Sequence, residues 1–100
     1  MKKYMVIDVC EREISEPKFF DSLEKARIHL FELFIEACRH LDVDDYNSLN
    51  VTTMDELVDA IEALINDDVL DDENNFYDMS AWAETSNHDN WDGKIIEVEI

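Results

Sequence analysis

Apolar and polar residues alternate with a period of two from Tyr4 to Cys10. Met5, Ile7 and Val9 fall on one side, and Tyr4, Val6, Asp8 and Cys10 on the other. That pattern, rich in β-branched residues, predicts a strand. Glu11–Glu16 is polar and is expected to turn the chain. Pro17 has no N–H to give a central ladder, so Lys18-Phe19-Phe20 is expected as a short returning edge strand. The period then becomes helical. Leu23, Ala26, Leu30, Phe34, Ala37 and Leu41 share one face, and Phe31, Ile35 and Cys38 widen it. A helix from Ser22 to about Leu41 is therefore expected to be the most buried element. Asp21, with Glu24 three residues later, predicts its N-cap and a capping box.

Asp42–Asn50 reads as a polar connection. A second helix follows Val51-Thr52-Thr53, with Thr53 and Glu56 spaced as a capping box. Met54, Leu57, Val58, Ile61, Leu64 and Ile65 keep the i, i+3, i+4, i+7 spacing of an amphipathic helix that ends near Asn66. Asp67–Asn75 is acidic. Phe76–Thr85 is predicted as one strand, with Tyr77, Met79, Ala81 and Ala83 opposed to Phe76, Ser80 and Trp82. Ser86–Gly93 is expected to be a loop closed by a tight Asp92-Gly93 turn, and Lys94–Ile100 the final strand. There, Ile96, Val98 and Ile100 oppose Ile95, Glu97 and Glu99. The order β(β)ααββ predicts one α+β domain over residues 1–100. It would be a small sandwich of two helices on one face of a three- to four-stranded, mostly antiparallel sheet whose last two strands form a hairpin.

Charge changes this picture more than composition does. The chain has 100 residues, 46% of them apolar, enough to bury a core. Its net charge is −18. Residues 1–41 contribute −1 and residues 42–100 contribute −17. From His40 to Gly93, 54 residues hold 16 Asp and Glu and no Lys or Arg. Solubility needs a net charge of only about 2–8 in magnitude, and the excess strains the compact state by self-repulsion. Asp8, Glu11, Arg12 and Glu13 break any signal-peptide core after the basic start, and no stretch is apolar enough to span a bilayer. The expected location is the cytoplasm, with Cys10 and Cys38 as buried reduced thiols.

Sites for chemistry are sparse. One glycine rules out a glycine-rich phosphate cradle. The cysteines form no CxxC and keep no metal spacing with a histidine. His29 lies mid-helix, His40 near the helix end where a cation suits the dipole, and His88 in the last loop; none is paired with a nucleophile by the pattern. An EF-hand begun at Asp71 fails, with Phe76 where glycine is required and Trp82 where Glu is required. No catalytic residue, metal site or cofactor is expected. Weak binding of Ca²⁺ or Mg²⁺ by Asp67, Asp68, Asp71, Asp72 and Glu73 is the metal-binding alternative.

On the second helix, Asp55, Asp59 and Glu62 recur at i, i+4 and i+7, opposite Ile61 and Ile65. A rise of about 1.5 Å per residue spaces them every ~5–6 Å. Asp42, Asp44 and Asp45 precede that helix, and Asp67, Asp68, Asp71, Asp72 and Glu73 follow it. A strand of duplex DNA carries one charge per ~3.4 Å, so the row approaches a phosphate strand in density. An ordinary solvated helix face interleaves Lys with Glu; this one forgoes every such pair. General adaptation to salt would spread the acids over the whole chain, and residues 1–41 are nearly balanced. Aromatics that can anchor an interface lie nearby in sequence: Tyr46, Phe76, Tyr77, Trp82 and Trp91.

A short α+β chain with the run Asp55-Glu56…Asp59…Glu62…Asp67-Asp68…Asp71-Asp72-Glu73 resembles the small acidic proteins of phages and mobile elements. These include anti-CRISPR and anti-restriction proteins, several of which imitate nucleic acid. The similarity is one of size, charge and layout. With the 54 residues that lack Lys and Arg, it leads to the expectation of a non-enzymatic inhibitor that occupies the basic nucleic-acid-binding surface of a nuclease or other partner. Direct binding to nucleic acid is not expected, because the phosphates carry the same sign of charge, nor is binding to a membrane. The expected contact residues are Asp42, Asp44, Asp45, Asp55, Asp59, Glu62, Asp67, Asp68, Asp71, Asp72, Glu73, Tyr46, Tyr77 and Trp82. The alternatives are an immunity or antitoxin-like protein relying on the aromatic anchors, and an acidic regulatory subunit with no nucleic-acid link. A bare apolar stripe on either helix would make the chain a homodimer rather than a monomer.

Overall fold

The computed structural model describes residues 2–11, 13–38, 51–66, 68, 70, 74–77, 79–85 and 89–99. They form an α+β domain with two helices and a six-stranded, antiparallel sheet. In chain order the elements are β1 (Lys2–Cys10), β2 (Glu13–Ile14), β3 (Lys18–Phe20), α1 (Leu23–Ala37), α2 (Met54–Asn66), β4 (Asn75–Phe76), β5 (Ser80–Glu84) and β6 (Asn90–Glu99). The spatial order is β2-β1-β6-β5-β4, with β3 also on the outer edge of β1. The first strand pairs with the last along its whole length, from Lys2 opposite Glu99 to Cys10 opposite Trp91. Their sequence pattern left that partner open. The strand count exceeds the expected three to four because β2 and β4 are two-residue ladders.

The returning edge strand forms as expected, but in two pieces. Val9 faces Ile14, while Val6 faces Lys18. The Ser15 N–H still donates to Asp8 O at 2.9 Å. Glu16 and Pro17 are thus left opposite Ile7 alone, a bulge at the one place where proline's missing N–H costs no ladder bond. Such a broken edge also resists pairing with a foreign strand.

Helix α1 starts one residue later than the capping-box spacing predicts. Ser22, not Asp21, is the N-cap, its Oγ accepting the Lys25 N–H at 3.2 Å. Asp21 instead pairs with Lys3 across the edge of β1. The helix ends with Cys38 as C-cap rather than near Leu41. Ala26, Leu30, Phe31, Phe34 and Ile35 are buried as the pattern requires, and Leu23 is exposed. This face lies against β1, β3, β5 and β6, and α2 packs on α1. Leu57, Ala60 and Leu64 of α2 complete a core shared with Val6, Phe76, Ala81, Ala83, Trp91 and Ile95. Phe76 meets Phe31 edge-on, with ring centroids 5.5 Å apart, and Phe34 lies 6.3 Å from Trp91. The Trp91 indole N–H donates to Asp8 Oδ2 at 3.0 Å, which gives the acid in β1 a partner.

Two strand predictions need correction. Phe76–Thr85 is not one strand: β4 and β5 form a hairpin, closed where the Tyr77 N–H donates to Ser80 O at 2.7 Å. Phe76 therefore pairs with Ala81 and shares its core-facing side, instead of opposing it. Asp92-Gly93 is no turn, because β6 begins at Asn90 and runs straight through both residues. Gly93 is required for space rather than for backbone freedom. A Cβ there would lie 2.6 Å from Leu30 Cδ1 and 2.7 Å from the Trp91 ring, so the absence of a side chain is what lets α1 sit down on the sheet. The β5–β6 hairpin itself forms as expected, with the Thr85 N–H donating to Asp89 O.

Candidate functional site

The local chemistry of α2 sets the site. Thr53 Oγ1 accepts the Glu56 N–H at 3.2 Å, and the hydroxyls of Thr52 and Thr53 donate to Glu56 Oε1 at 2.8 and 3.1 Å. The predicted capping box is therefore present. The two threonine hydroxyls, followed by their backbone N–H groups, hold the Glu56 carboxyl below its usual range. At the other end Asp68 adopts φ 57° and its N–H donates to Ile65 O at 3.1 Å. Asp is among the few residues that enter the left-handed region without β-branching strain, so this acid closes the helix. Glu56 and Asp68 thus serve the helix ends.

Asp55, Asp59 and Glu62 remain on the exposed side, opposite the buried Leu57, Ala60 and Leu64. Among the described residues they form no ion pair. Two basic side chains of the opening segment are engaged elsewhere: Lys2 bridges to Glu97 at 2.9 Å, and Lys3 to Asp21. Asp42, Asp44, Asp45, Tyr46, Asp67, Asp71, Asp72 and Glu73 lie outside the described residues, as do His40 and His88.

A feature that the sequence pattern assigned to the core belongs to the surface instead. Val58 is 44% and Ile65 55% exposed, beside the acidic row. They sit at the margin of the apolar stripe. The centre of the stripe, Leu57, Ala60 and Leu64, is buried while its margin stays bare. Helical projection gives the clue, since Val58 and Ile65 share an angular position well off the line through Leu57 and Leu64.

The aromatic candidates divide differently. Phe76 and Trp91 are core residues. Tyr77 and Trp82 pack together, with centroids 5.2 Å apart, and Tyr77 is 57% exposed. Trp82 faces Asp92 across β5 and β6, so it lies on the sheet face turned away from α1. The acids of α2 and the aromatic pair therefore belong to different surfaces.

His29 is half-buried, stacked on Phe20 at 5.2 Å, with Glu32 3.8 Å from Nδ1. Burial, then the Lys18 ammonium, push its pKa down, against the pull of Glu32 and Asp8. Two open hollows of about 310 and about 280 Å³ flank it. Thr52 lines one and Ser15 the other, each beside His29, but among the described residues neither hydroxyl is hydrogen-bonded to the imidazole. Cys10 and Cys38 are free thiols; Cys38 is buried as expected and Cys10 only half so. Desolvation, then the carboxylates of Asp89, Glu11, Glu13 and Asp8, push the Cys10 thiol up, away from the reactive thiolate. Cys38 caps α1 and lies 3.9 Å from Asn74 Oδ1, which also accepts the Glu84 N–H. Among the described residues no group of side chains is arranged to hold a metal ion, and no helix is long and apolar enough to cross a membrane.

No family model matches the chain, and no curated protein or solved structure does so either.

Proposed function

We propose that the chain is a non-enzymatic acidic protein that occupies the basic nucleic-acid-binding surface of a partner, a nuclease or another nucleic-acid-binding protein, and so excludes nucleic acid from it. One observation carries the reading. The row Asp55, Asp59, Glu62 is exposed on a helix anchored from below, and it is left without a counter-charge among the described residues. A row that merely kept the chain soluble gains nothing from like charges at i, i+4.

In this reading the net charge of −18 steers a cationic cleft toward the protein from beyond contact distance. At contact, Val58 and Ile65 supply the apolar area that charge alone lacks. The α2 helix packs on α1 through Leu57, Ala60 and Leu64 and leaves the acidic row exposed, which supports its presentation to a partner. The protein itself does not bind nucleic acid, whose phosphates carry the same sign. It acts in the cytoplasm, where Cys10 and Cys38 stay reduced.

The test is titration of the purified chain against a panel of basic nucleases over a salt series, with duplex DNA as competitor. Affinity falling steeply with salt and lost to DNA supports the reading. Affinity flat in salt and indifferent to DNA overturns it. The Tyr77–Trp82 pair, with Tyr77 exposed, favours a second reading, an immunity-like partner whose affinity rests on aromatic anchors. Tyr77→Ala and Trp82→Ala weaken binding more than Asp55→Asn, Asp59→Asn and Glu62→Gln together if that reading holds, and less if charge mimicry does.

A further inference from the structure

The sheet has two unlike faces. On one, Val6, Ala81, Ala83, Trp91 and Ile95 are buried beneath α1. On the other, register brings Phe19, Met5 and Ile96 into one row across three strands, and Ile14 beside Val9 in another. Ile96 is 37% exposed where its neighbour Ile95 is 2% exposed, and Phe19 is 55% exposed.

We propose that this open face is the contact between two copies of the chain, stacked sheet to sheet about a two-fold axis. The charges on the face identify the occupant. Lys94, the single base of residues 42–100, stands here, two residues from Asp92 on the same side of β6, and neither forms an ion pair among the described residues. Lys3 is here too, paired with Asp21. Glu84, opposite Asn90, is on this side as well. Lys3 and Lys94 against Asp21, Asp92 and Glu84 leave the face near −1 on a chain of net charge −18, and it is where a second copy meets the least local repulsion. A two-fold axis between Asp92 and Lys94 lays each lysine over the other copy's aspartate.

The size agrees. Nine paired residues of β1 and β6 span about 30 Å, and five strand positions span about 20–25 Å. The outer strands are shorter, with two residues in β2 and β4, three in β3 and five in β5. The face therefore covers roughly 500 Å² before side-chain relief, which the projecting Phe19, Ile14 and Ile96 side chains raise toward the ~800 Å² per partner of a stable interface. Aligned sheets packing about 10 Å apart would bury both rows.

The experiment is sedimentation equilibrium of the full chain at several concentrations in low and high NaCl. The expected species is twice the 11.8 kDa chain, and it tightens with salt because the two copies repel at long range. Phe19→Asp with Ile96→Asp, both at exposed positions, yields a monomer with an unchanged far-ultraviolet spectrum. Should that variant misfold, Lys94→Asp decides instead: it weakens association at least tenfold, and Lys94→Asp with Asp92→Lys restores it. A wild-type chain that stays monomeric near millimolar concentration in high salt overturns the proposal, as does a dimer indifferent to Lys94→Asp. Neither result touches the salt dependence of nuclease binding through α2.

Discussion

The outer side of α2 and the open face of the sheet are both exposed, yet they respond to opposite forces. The helix side holds Asp55, Asp59 and Glu62 with only Val58 and Ile65 beside them. The sheet side holds a broad apolar surface and the couple Asp92 and Lys94, neither in an ion pair among the described residues. The contrast teaches that one net charge acts with two signs. It draws a cationic partner to the helix and drives a second copy away, so added salt should weaken the first contact and strengthen the second. A chain on which both contacts moved together with salt would have no such division of labour.

The largest expected effect concerns how firmly the helix side is held. Leu57 is fully buried beneath the acidic row, and Leu57→Ala should cost about 2–5 kcal/mol in denaturant unfolding. Its neighbour Val58, 44% exposed, should change stability by less than ~0.5 kcal/mol on replacement by Ser. If Leu57→Ala costs no more than Val58→Ser, α2 is not seated on α1 and the row has no fixed geometry.

Next in size is the sheet. Gly93→Ala places a methyl group against Leu30 and the Trp91 ring and should destabilise by about 1–3 kcal/mol. Lys94→Ala, one residue on and facing outward, should leave the stability of the isolated chain within ~0.5 kcal/mol while weakening self-association. Equal effects would mean that the two faces of β6 are not distinct.

These two positions also mark how far the sequence can be read. Periodicity located the first strand, the edge strand and both helices, because burial on one face repeats at a fixed interval. It could not show that the final strand begins at Asn90. Asp92 and Gly93 look like a turn locally, and the demand for glycine comes from Leu30, sixty-odd residues away in sequence. The hairpin at Tyr77–Ser80 was equally invisible, since the alternation of Tyr77, Met79, Ala81 and Ala83 with Asp78, Ser80 and Trp82 continues through it. Of the candidate site, the acids of α2 were legible, because charge on a helix lies opposite its core. Their separation from Tyr77 and Trp82 was not, as nearness along the chain says nothing about which side of a sheet a residue takes.

A smaller effect tests the helix end. Thr53→Ala removes the acceptor for the Glu56 N–H and should cost about 1 kcal/mol. Glu56→Gln should cost less, since a neutral amide still accepts from the hydroxyls of Thr52 and Thr53. A larger loss for Glu56→Gln than for Thr53→Ala would mean that the carboxylate charge at the helix N-terminus, rather than the box, fixes where α2 begins.

The smallest effect has the opposite sign. Asp59→Asn relieves the like-charge contact with Asp55 one turn earlier, and it should stabilise the isolated chain by about 0.2–0.5 kcal/mol at low ionic strength. The gain should fade in about 0.5 M NaCl, where the Debye length is only a few ångströms, and the wild-type melting temperature should rise over the same range. Asp92→Asn on the sheet face offers the control: its same-side neighbour on β6 is the cation Lys94, so it should bring no such gain. A residue kept at the expense of stability is one whose charge acts on something outside the fold. If Asp59→Asn stabilises the chain but leaves nuclease binding intact, the repulsion on α2 serves no partner, and the contrast between the two surfaces reduces to one of stability alone.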